Sequence, residues 1–212
     1  MDEEKLVPLS GRRAEAARND GRILEAAREV FTADPGAPVS AVAERAGVGI
    51  GALYRRYGSK EDLLRHLNAD GLGRYIAVVE AALAGEGDPW QAFSGFLLRA
   101  VDTDTHSLTL RLAGTFSPTD ELKREGERAH ELTQRLLDRT KAAGVLRADI
   151  EVGDLSLIFE QMASVRLGDR RRTGQLRRRY SSLILGALRD ASAPPLPGPP
   201  PSWEEIRRRW EA

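Results

Sequence analysis

Residues 38–60 read PVSAVAERAGVGIGALYRRYGSK, and this stretch decides the fold of the first part of the chain. Apolar side chains recur at helical spacing in its first half, at Val42, Ala43 and Ala46. Gly47 then supplies the left-handed or close-packed backbone that a sharp turn needs. Val48 and Leu53 can close a small core behind a second helix. The pattern therefore predicts two short helices joined by a glycine-bearing turn, which is a helix-turn-helix.

The second helix of this motif presents its other face outward. That face combines small residues, which let the backbone approach a groove, with a phenol and a guanidinium that can bond phosphates or base edges. Its members are Gly49, Ile50, Gly51, Ala52, Tyr54 and Arg56. This composition predicts contact with DNA.

Helical patterns continue on both sides of the motif. Residues 12–33 carry one apolar stripe, and the DPGAP that follows ends it. After the motif, Gly58 ends the second helix. Ser59, with Asp62 three residues later, makes a capping-box-like start for a long helix that we expect to run to about Leu83.

Three segments in order resemble a TetR-type transcriptional regulator over about residues 18–67: ILEAAREVF, VAERAGVGIGALYRRY and SKEDLL. The resemblance implies an all-α fold with an N-terminal three-helix DNA-binding domain and a larger C-terminal helical domain for effector binding and dimerisation. It also implies a repressor that binds a pseudo-palindromic operator as a homodimer and is released by a small molecule. The identity of that effector does not carry over.

Domain boundaries follow from this reading. We expect a flexible N-terminus over residues 1–11, the DNA-binding domain over 12–67, the effector-binding and dimerisation domain over 68–191, and a Pro-rich linker with a short C-terminal helix over 192–212.

The resemblance also implies the DNA contacts. Tyr54 and Lys60 would hold phosphates, and the full predicted set is Ser40, Gly49, Ile50, Gly51, Ala52, Tyr54, Arg55, Arg56, Ser59 and Lys60. Because glycine and alanine donate no side-chain hydrogen bond, Arg56 and Ser40 would carry most of the direct polar readout, with Ile50 and Ala52 against thymine methyls. The basic residues Arg12, Arg13 and Arg18 could enter an adjacent minor groove or form a solvated arm.

Composition narrows the class of protein. The chain has 212 residues, no cysteine and a formal net charge of zero. The lack of cysteine excludes disulfides and thiolate metal sites and fits a reducing cytoplasm. No run of about eighteen apolar residues occurs, so we expect no membrane span. Residues 38–65 hold five bases against three acids, a modest basic footprint that specific geometry would have to supplement.

Beyond the motif, apolar spacing predicts further helices over about 90–101, 108–116 and 120–143. Within the long fourth helix stand Gly71 and Gly73. Since glycine weakens a helix interior, the pair could mark a hinge through which an effector acts on DNA binding, or it could admit a neighbouring helix.

Two later helices carry apolar stripes that need a partner. We predict that they form a four-helix interface between two subunits, as the resemblance implies, while burial inside one subunit stays open. The predicted interface residues are Leu155, Ile158, Phe159, Met162, Tyr180, Leu183, Ile184, Ala187 and Leu188.

An apolar effector pocket is predicted from helices that should surround the centre of the larger domain. Its candidate residues are Phe93, Phe96, Leu97, Leu112, Phe116, Phe159 and Met162. They would suit an apolar or aromatic ligand. The alternative, that these side chains fill the core, stays open.

The C-terminal PPLPGPPP is followed by Ser202 and Glu205, a second capping box. We interpret the proline run as a spacer that docks a Trp-bearing helix onto the body, against the alternative of a ligand for a peptide-binding module.

Two other classes of protein remain open. A metal-dependent or small-molecule-binding helical enzyme would have to use Asp102, Asp104 and His106, which otherwise end a helix in solvent. A helical adaptor would lack DNA affinity. Neither a catalytic group nor a cofactor is predicted, and Gly47, Gly49 and Gly51 lack the third glycine and the preceding strand of a dinucleotide site.

Overall fold

The computed structural model describes residues 9–103, 115–189 and 192–209, with side chains from residue 19 onward. All regular elements within these ranges are helices, and the chain divides into two compact units between Leu67 and Asn68. The all-α prediction is confirmed. No helix in the described ranges is long and apolar enough to span a membrane.

The first unit contains α1 (Leu9–Ala33), α2 (Val39–Ala46), α3 (Ile50–Tyr57) and the N-terminal part of α4 (Lys60–Ala84). Helices α2 and α3 are the two short helices that the sequence predicts on either side of Gly47, whereas α1 begins three residues before the predicted Arg12. The core of the unit consists of side chains at most 1% exposed: Ile23, Ala27, Phe31, Val42, Leu53, Leu63 and Leu67.

The turn between α2 and α3 depends on Gly47, whose φ of 66° is left-handed. This conformation directs the Val48 N–H to the carbonyl oxygen of Ala43 at 3.0 Å, which satisfies one of the free carbonyls at the end of α2. Arg22 of α1 donates from Nη2 to the carbonyl oxygen of Ala46 at 2.8 Å. The helix-turn-helix is therefore fixed by its own backbone and by α1.

The second unit contains the rest of α4, then α5 (Pro89–Asp102), α6 (Asp120–Ala142), α7 (Val152–Ser164), α8 (Arg170–Arg189) and α9 (Trp203–Arg208). An aromatic cluster lies in its core: the Phe96 ring packs edge-on against Tyr75 at 5.6 Å and against Phe159 at 6.0 Å between ring centroids. Phe93 and Leu97 are fully buried beside them. Most of the helix predicted at 108–116 lies outside the described residues, and Phe116 itself is a buried residue in a bend.

The C-terminal segment, residues 192–209, packs back onto the second unit. Arg147 donates from Nη2 to the carbonyl oxygen of Pro194 at 2.9 Å, and Asp149 accepts from the N–H of Leu196 at 2.8 Å. Asp149 also accepts from Arg147 Nε at 2.6 Å, and its bonds to Arg147 and Leu196 hold the pKa of this carboxyl well below its ordinary value. At the far end, Arg209 forms a bidentate pair with Glu160 at 2.8 and 2.9 Å. Proline-rich backbone is thus anchored at both ends.

Candidate nucleic-acid interface and ligand cavity

The side chains that α3 buries determine which of its residues face outward. Leu53 and Tyr57 point into the core of the first unit, which leaves the intervening positions in solvent. Ile50 is 42% and Tyr54 45% exposed, although both are large. Gly49 and Gly51 are exposed, Ala52 is half-buried, and Ser40 is exposed at the start of α2. The predicted base-reading residues therefore lie on the surface.

Arg56 has a partner that its spacing does not reveal. Its Nε and Nη2 donate to the two carboxylate oxygens of Asp20 at 2.8 and 2.7 Å, across 36 residues of sequence. The hydrogen bond from Arg56 lowers the pKa of Asp20, and Asp20 in turn raises the pKa of Arg56. By contrast, Arg55 is exposed and makes no ion pair within the described part of the chain.

Lys60 is also engaged. Its Nζ donates to the carbonyl oxygen of Ala37 at 2.8 Å and lies 5.2 Å from the centre of the Phe31 ring. Ser59 Oγ accepts from the N–H of Asp62 at 3.0 Å, so this hydroxyl caps α4. Both side chains support the fold of the unit, a function that the resemblance does not assign to them.

Acidic residues offset much of the basic footprint. Arg45 pairs with Glu29 at 2.6 Å, and Arg65 pairs with Glu61 and Asp62. The backbone of residues 12–18 is helical, but the side chains of Arg12, Arg13 and Arg18 lie outside the described set.

The second unit contains a cavity of about 170 Å³ between α4, α6, α7 and α9. Its apolar lining includes Leu72, Leu122, Val152, Trp203 and Ile206. The charged lining residues Lys123, Glu127 and Arg207 are exposed, which places both signs of charge at the solvent side. The interior is therefore apolar.

A few polar groups lie among these apolar walls. Tyr75 is buried and bonds through its hydroxyl to Thr133 Oγ1 at 2.8 Å, and burial raises the pKa of this phenol. Asn68 Nδ2 and His130 Nδ1 are buried without a hydrogen-bond partner among the described residues. Burial also lowers the pKa of His130. Two unpaired polar atoms in residues that line one cavity are unusual in a native protein.

The described residues that we predicted to line an effector pocket do not line this cavity. They are buried in the core instead: Phe93, Phe96, Leu97, Phe116, Phe159 and Met162. Leu112 lies outside the described residues. The aromatic side chains among them pack against one another. Their assignment to an effector pocket stays a prediction.

The residues predicted for the subunit interface differ in their burial within the subunit. Four of them are buried in the subunit: Leu155, Phe159, Met162 and Leu188. Tyr180, Leu183 and Ala187 are exposed, and Leu183 is 62% exposed. Ile158 and Ile184 are partly buried against the core. Only the α8 side of the predicted set presents an apolar surface.

The metal alternative gains no support from the described residues. No group of three histidine or acidic side chains there could hold a metal ion, and Asp102 accepts from Arg178 at 2.7 Å. Asp104 and His106 lie outside the described ranges.

Sequence reasoning did not identify Asp20, Asn68, His130 or Trp203 as members of a site. Asp20 and Asn68 carry no distinguishing spacing, and His130 stands alone on a charged helix. For Trp203, the capping box at Ser202 predicted the helix but not its neighbours.

Comparisons with known proteins agree with this geometry. Residues 23–67 match the family described as bacterial regulatory proteins, tetR family. A TetR transcription regulatory protein from Mycobacterium vanbaalenii is 29% identical, with 84% of this chain and 98% of that chain covered and a TM-score of 0.57.

Two further solved structures are similar. The regulator PfmR from Thermus thermophilus is 27% identical over 78% of this chain and 97% of its own, with a TM-score of 0.56. The TetR-like regulator LfrR from Mycobacterium smegmatis, in complex with proflavine, is 22% identical over 85% and 99%, with a TM-score of 0.65. No curated protein sequence matches the chain.

Proposed function

We propose that this chain, a member of the TetR family of transcriptional regulators, is a repressor that binds a pseudo-palindromic operator as a dimer and leaves it when a small ligand binds. The observation that carries the proposal is the exposed face of α3 in a helix-turn-helix. A recognition helix of this kind lies in the major groove, and a dimer reads two half-sites about one turn apart.

The DNA contacts that we propose fall into two groups. Ile50 and Ala52 offer apolar contact to thymine methyls, and Ser40 and Arg56 offer polar contact to base edges. The phosphate contacts are assigned to Tyr54, Arg55 and Lys60, with Gly49, Gly51 and Ser59 where the backbone approaches the groove.

Arg56 can reach a base only if it leaves Asp20. Because the pair is exposed, its two members gain only about 0–1 kcal/mol from each other, so a base or a phosphate can replace the carboxylate. The same argument applies to Lys60, whose ammonium has three donors and can add a phosphate to its carbonyl contact.

We propose that the subunits meet through the exposed stripe of α8. Tyr180, Leu183 and Ala187 lie at helical spacing on one face, next to the partly buried Ile184. Exposed apolar patches of this kind mark contact surfaces. A symmetric pairing would bring the same stripe from two copies together.

The effector is assigned to the cavity between α4, α6, α7 and α9. At about 170 Å³ it is smaller than the 300–1,000 Å³ typical of drug-sized ligands, so the ligand is small or the cavity widens around it. The solved structure of the Mycobacterium smegmatis regulator contains a small molecule, proflavine.

Selection of bound DNA from a random pool tests the proposal. We expect enriched sequences with two inverted half-sites separated by about one helical turn. A variant with Ile50→Asp places a carboxylate on the proposed reading face and should give no enrichment, whereas Leu196→Asp changes an exposed apolar residue of the C-terminal segment and should enrich as the wild type does. Enrichment by both variants alike, or by neither the wild type nor the control, contradicts the proposal.

A further inference from the structure

The C-terminal segment, residues 192–209, contributes one wall of the cavity. Trp203 and Ile206 line it from α9, and the ring of Trp203 lies 4.4 Å from that of His130 with 31° between the planes. Ile206 is buried. The rings of Trp203 and His130 are thus in contact, and both residues line the open space.

Gly153 in the first turn of α7 permits this approach. A Cβ atom at this position would lie 2.0 Å from the carbonyl oxygen of Pro201, too close for any other residue without movement of the backbone. Together with the anchors at Arg147, Asp149 and Glu160, this contact holds α9 in a fixed position. The wall is therefore anchored to the rest of the second unit.

Two of the lining residues, Asn68 and His130, carry the unpaired polar atoms. Asn68 is 3% exposed, and its Nδ2 has no acceptor among the described residues. His130 Nδ1 is likewise without a partner. A buried amide N–H without an acceptor is satisfied when a ligand brings one. Of the exposed charges at the rim, Lys123 pairs with Asp120 at 3.5 Å and Arg207 with Glu204 at 2.7 Å, so each cation already has a carboxylate and does not select for an anion inside.

We propose that residues 192–209 complete the effector site, and that the site takes a small uncharged ligand whose flat apolar body lies against Trp203 and whose carbonyl or hydroxyl oxygen accepts from Asn68. This inference rests on the proposed effector function of the cavity. The size agrees, because a cavity of about 150 Å³ accommodates one benzene ring. Trp203 then determines which ligand shapes fit, and Asn68 determines which carry the required acceptor.

Three matched probes test the ligand class: acetophenone, which has a carbonyl acceptor, ethylbenzene, which has none, and benzoate, which is charged. Calorimetry on the free protein measures their binding without DNA. We expect acetophenone to bind more tightly than ethylbenzene by about 2- to 10-fold, the effect of one neutral hydrogen bond, and benzoate to bind least.

Substitutions of Asn68 and Trp203 test which residue causes which difference in probe affinity. Asn68→Leu should remove the preference for acetophenone over ethylbenzene. The control is Thr140→Val, which also replaces a buried polar side chain by an apolar one but lies on α6, away from the cavity, and it should preserve the preference. Trp203→Ala should weaken both probes, and Arg208→Ala, on the same helix but outside the lining, should weaken neither. If Trp203→Ala does not fold, Trp203→Phe should weaken both probes by a smaller factor.

Equal affinity for acetophenone and benzoate, no binding of acetophenone to the wild type, or an unchanged preference in Asn68→Leu would overturn the inference. Such a result leaves DNA selection intact, so failure of the ligand class is distinguishable from failure of the proposed DNA-binding function.

Discussion

Arg56 is a DNA-reading candidate whose guanidinium is already bonded. Its bidentate pair with Asp20 holds both side chains in one geometry and places a carboxylate beside the face that would approach phosphates. The interaction is exposed, so its contribution to stability is small. Its effect is expected on DNA binding, because Asp20 both competes for Arg56 and repels the phosphate backbone.

We predict that Asp20→Asn increases affinity for DNA of any sequence and steepens the salt dependence by roughly one unit of slope. Arg56→Ala should instead cost about 1–3 kcal/mol, mainly on the selected operator. Fluorescence anisotropy at several salt concentrations measures both. The matched control is Glu29→Gln, which removes the carboxylate partner of Arg45. Equal effects of Asp20→Asn and Glu29→Gln would contradict the assigned competition.

His130 makes the stability of the second unit depend on pH. Burial lowers its pKa in the folded state, so the unfolded chain binds the proton more readily, with an ordinary pKa of about 6.5. The free energy of unfolding should therefore fall as the pH drops below about 6.5 towards the lowered pKa. Urea unfolding at pH 7.5 and 5.5 should show a larger decrease for the wild type than for His130→Gln. An identical decrease in both would show that His130 does not contribute.

Helix α4 is the element that belongs to both units, and it contains the proposed hinge. A Cβ atom built on Gly73 meets nothing within 4 Å, so close packing does not explain that glycine. Gly71 is buried. The two glycines thus differ in the space around them. Alanine in place of Gly73 changes only the helix propensity, because its Cβ meets no neighbouring atom.

We predict that Gly73→Ala stabilises α4 by up to about 1 kcal/mol, the difference in helix propensity between the two residues. If α4 bends or shifts during induction, the variant should also show a smaller ligand-induced loss of operator binding. Gly174→Ala is the matched control, because it too is a helical glycine with free space around it. Calorimetry and a gel shift measure the two effects. Unchanged induction in a stabilised variant would rule out the hinge.

The spacing of apolar residues predicted where the helices lie, but not which part of the molecule each apolar face packs against. The spacing of Val42, Ala43 and Ala46, with the glycine that follows, predicted the helices α2 and α3 because local sequence determines a turn. The stripe on α7 predicted burial equally well. Its partner, however, is the core of the same unit at Leu155 and Phe159, since an apolar stripe carries no information on what packs against it.

The cavity could not be predicted because its walls are distant in sequence. Asn68, His130 and Trp203 come from three helices, and α6 reads as a charged solvent-exposed helix. The same holds for Asp20 and Arg56, which meet only after α1 and α3 have folded. Such contacts depend on tertiary packing.

In the proposed dimer, the apolar stripe of α8 is buried against a second copy. We predict that Leu183→Glu yields a folded monomer, because Leu183 is 62% exposed and contributes little to the subunit core. Phe159→Asp, in contrast, should unfold the subunit through a buried charge. Leu167→Glu, at a residue 65% exposed outside the stripe, is the control. Sedimentation velocity and circular dichroism give the measurements, and a Leu183→Glu variant that remains a dimer would place the interface elsewhere.

The central claim is that a dimer reads two half-sites through α3. The most direct measurement compares the selected operator with a duplex of equal length in which one half-site is scrambled, by sedimentation of the complex and by titration at fixed salt. We expect two chains on the intact operator and an affinity lower by at least about tenfold on the scrambled duplex, since mismatched base pairs each cost about 1–3 kcal/mol. Equal affinity for both duplexes, or one chain bound to the intact operator, would contradict it.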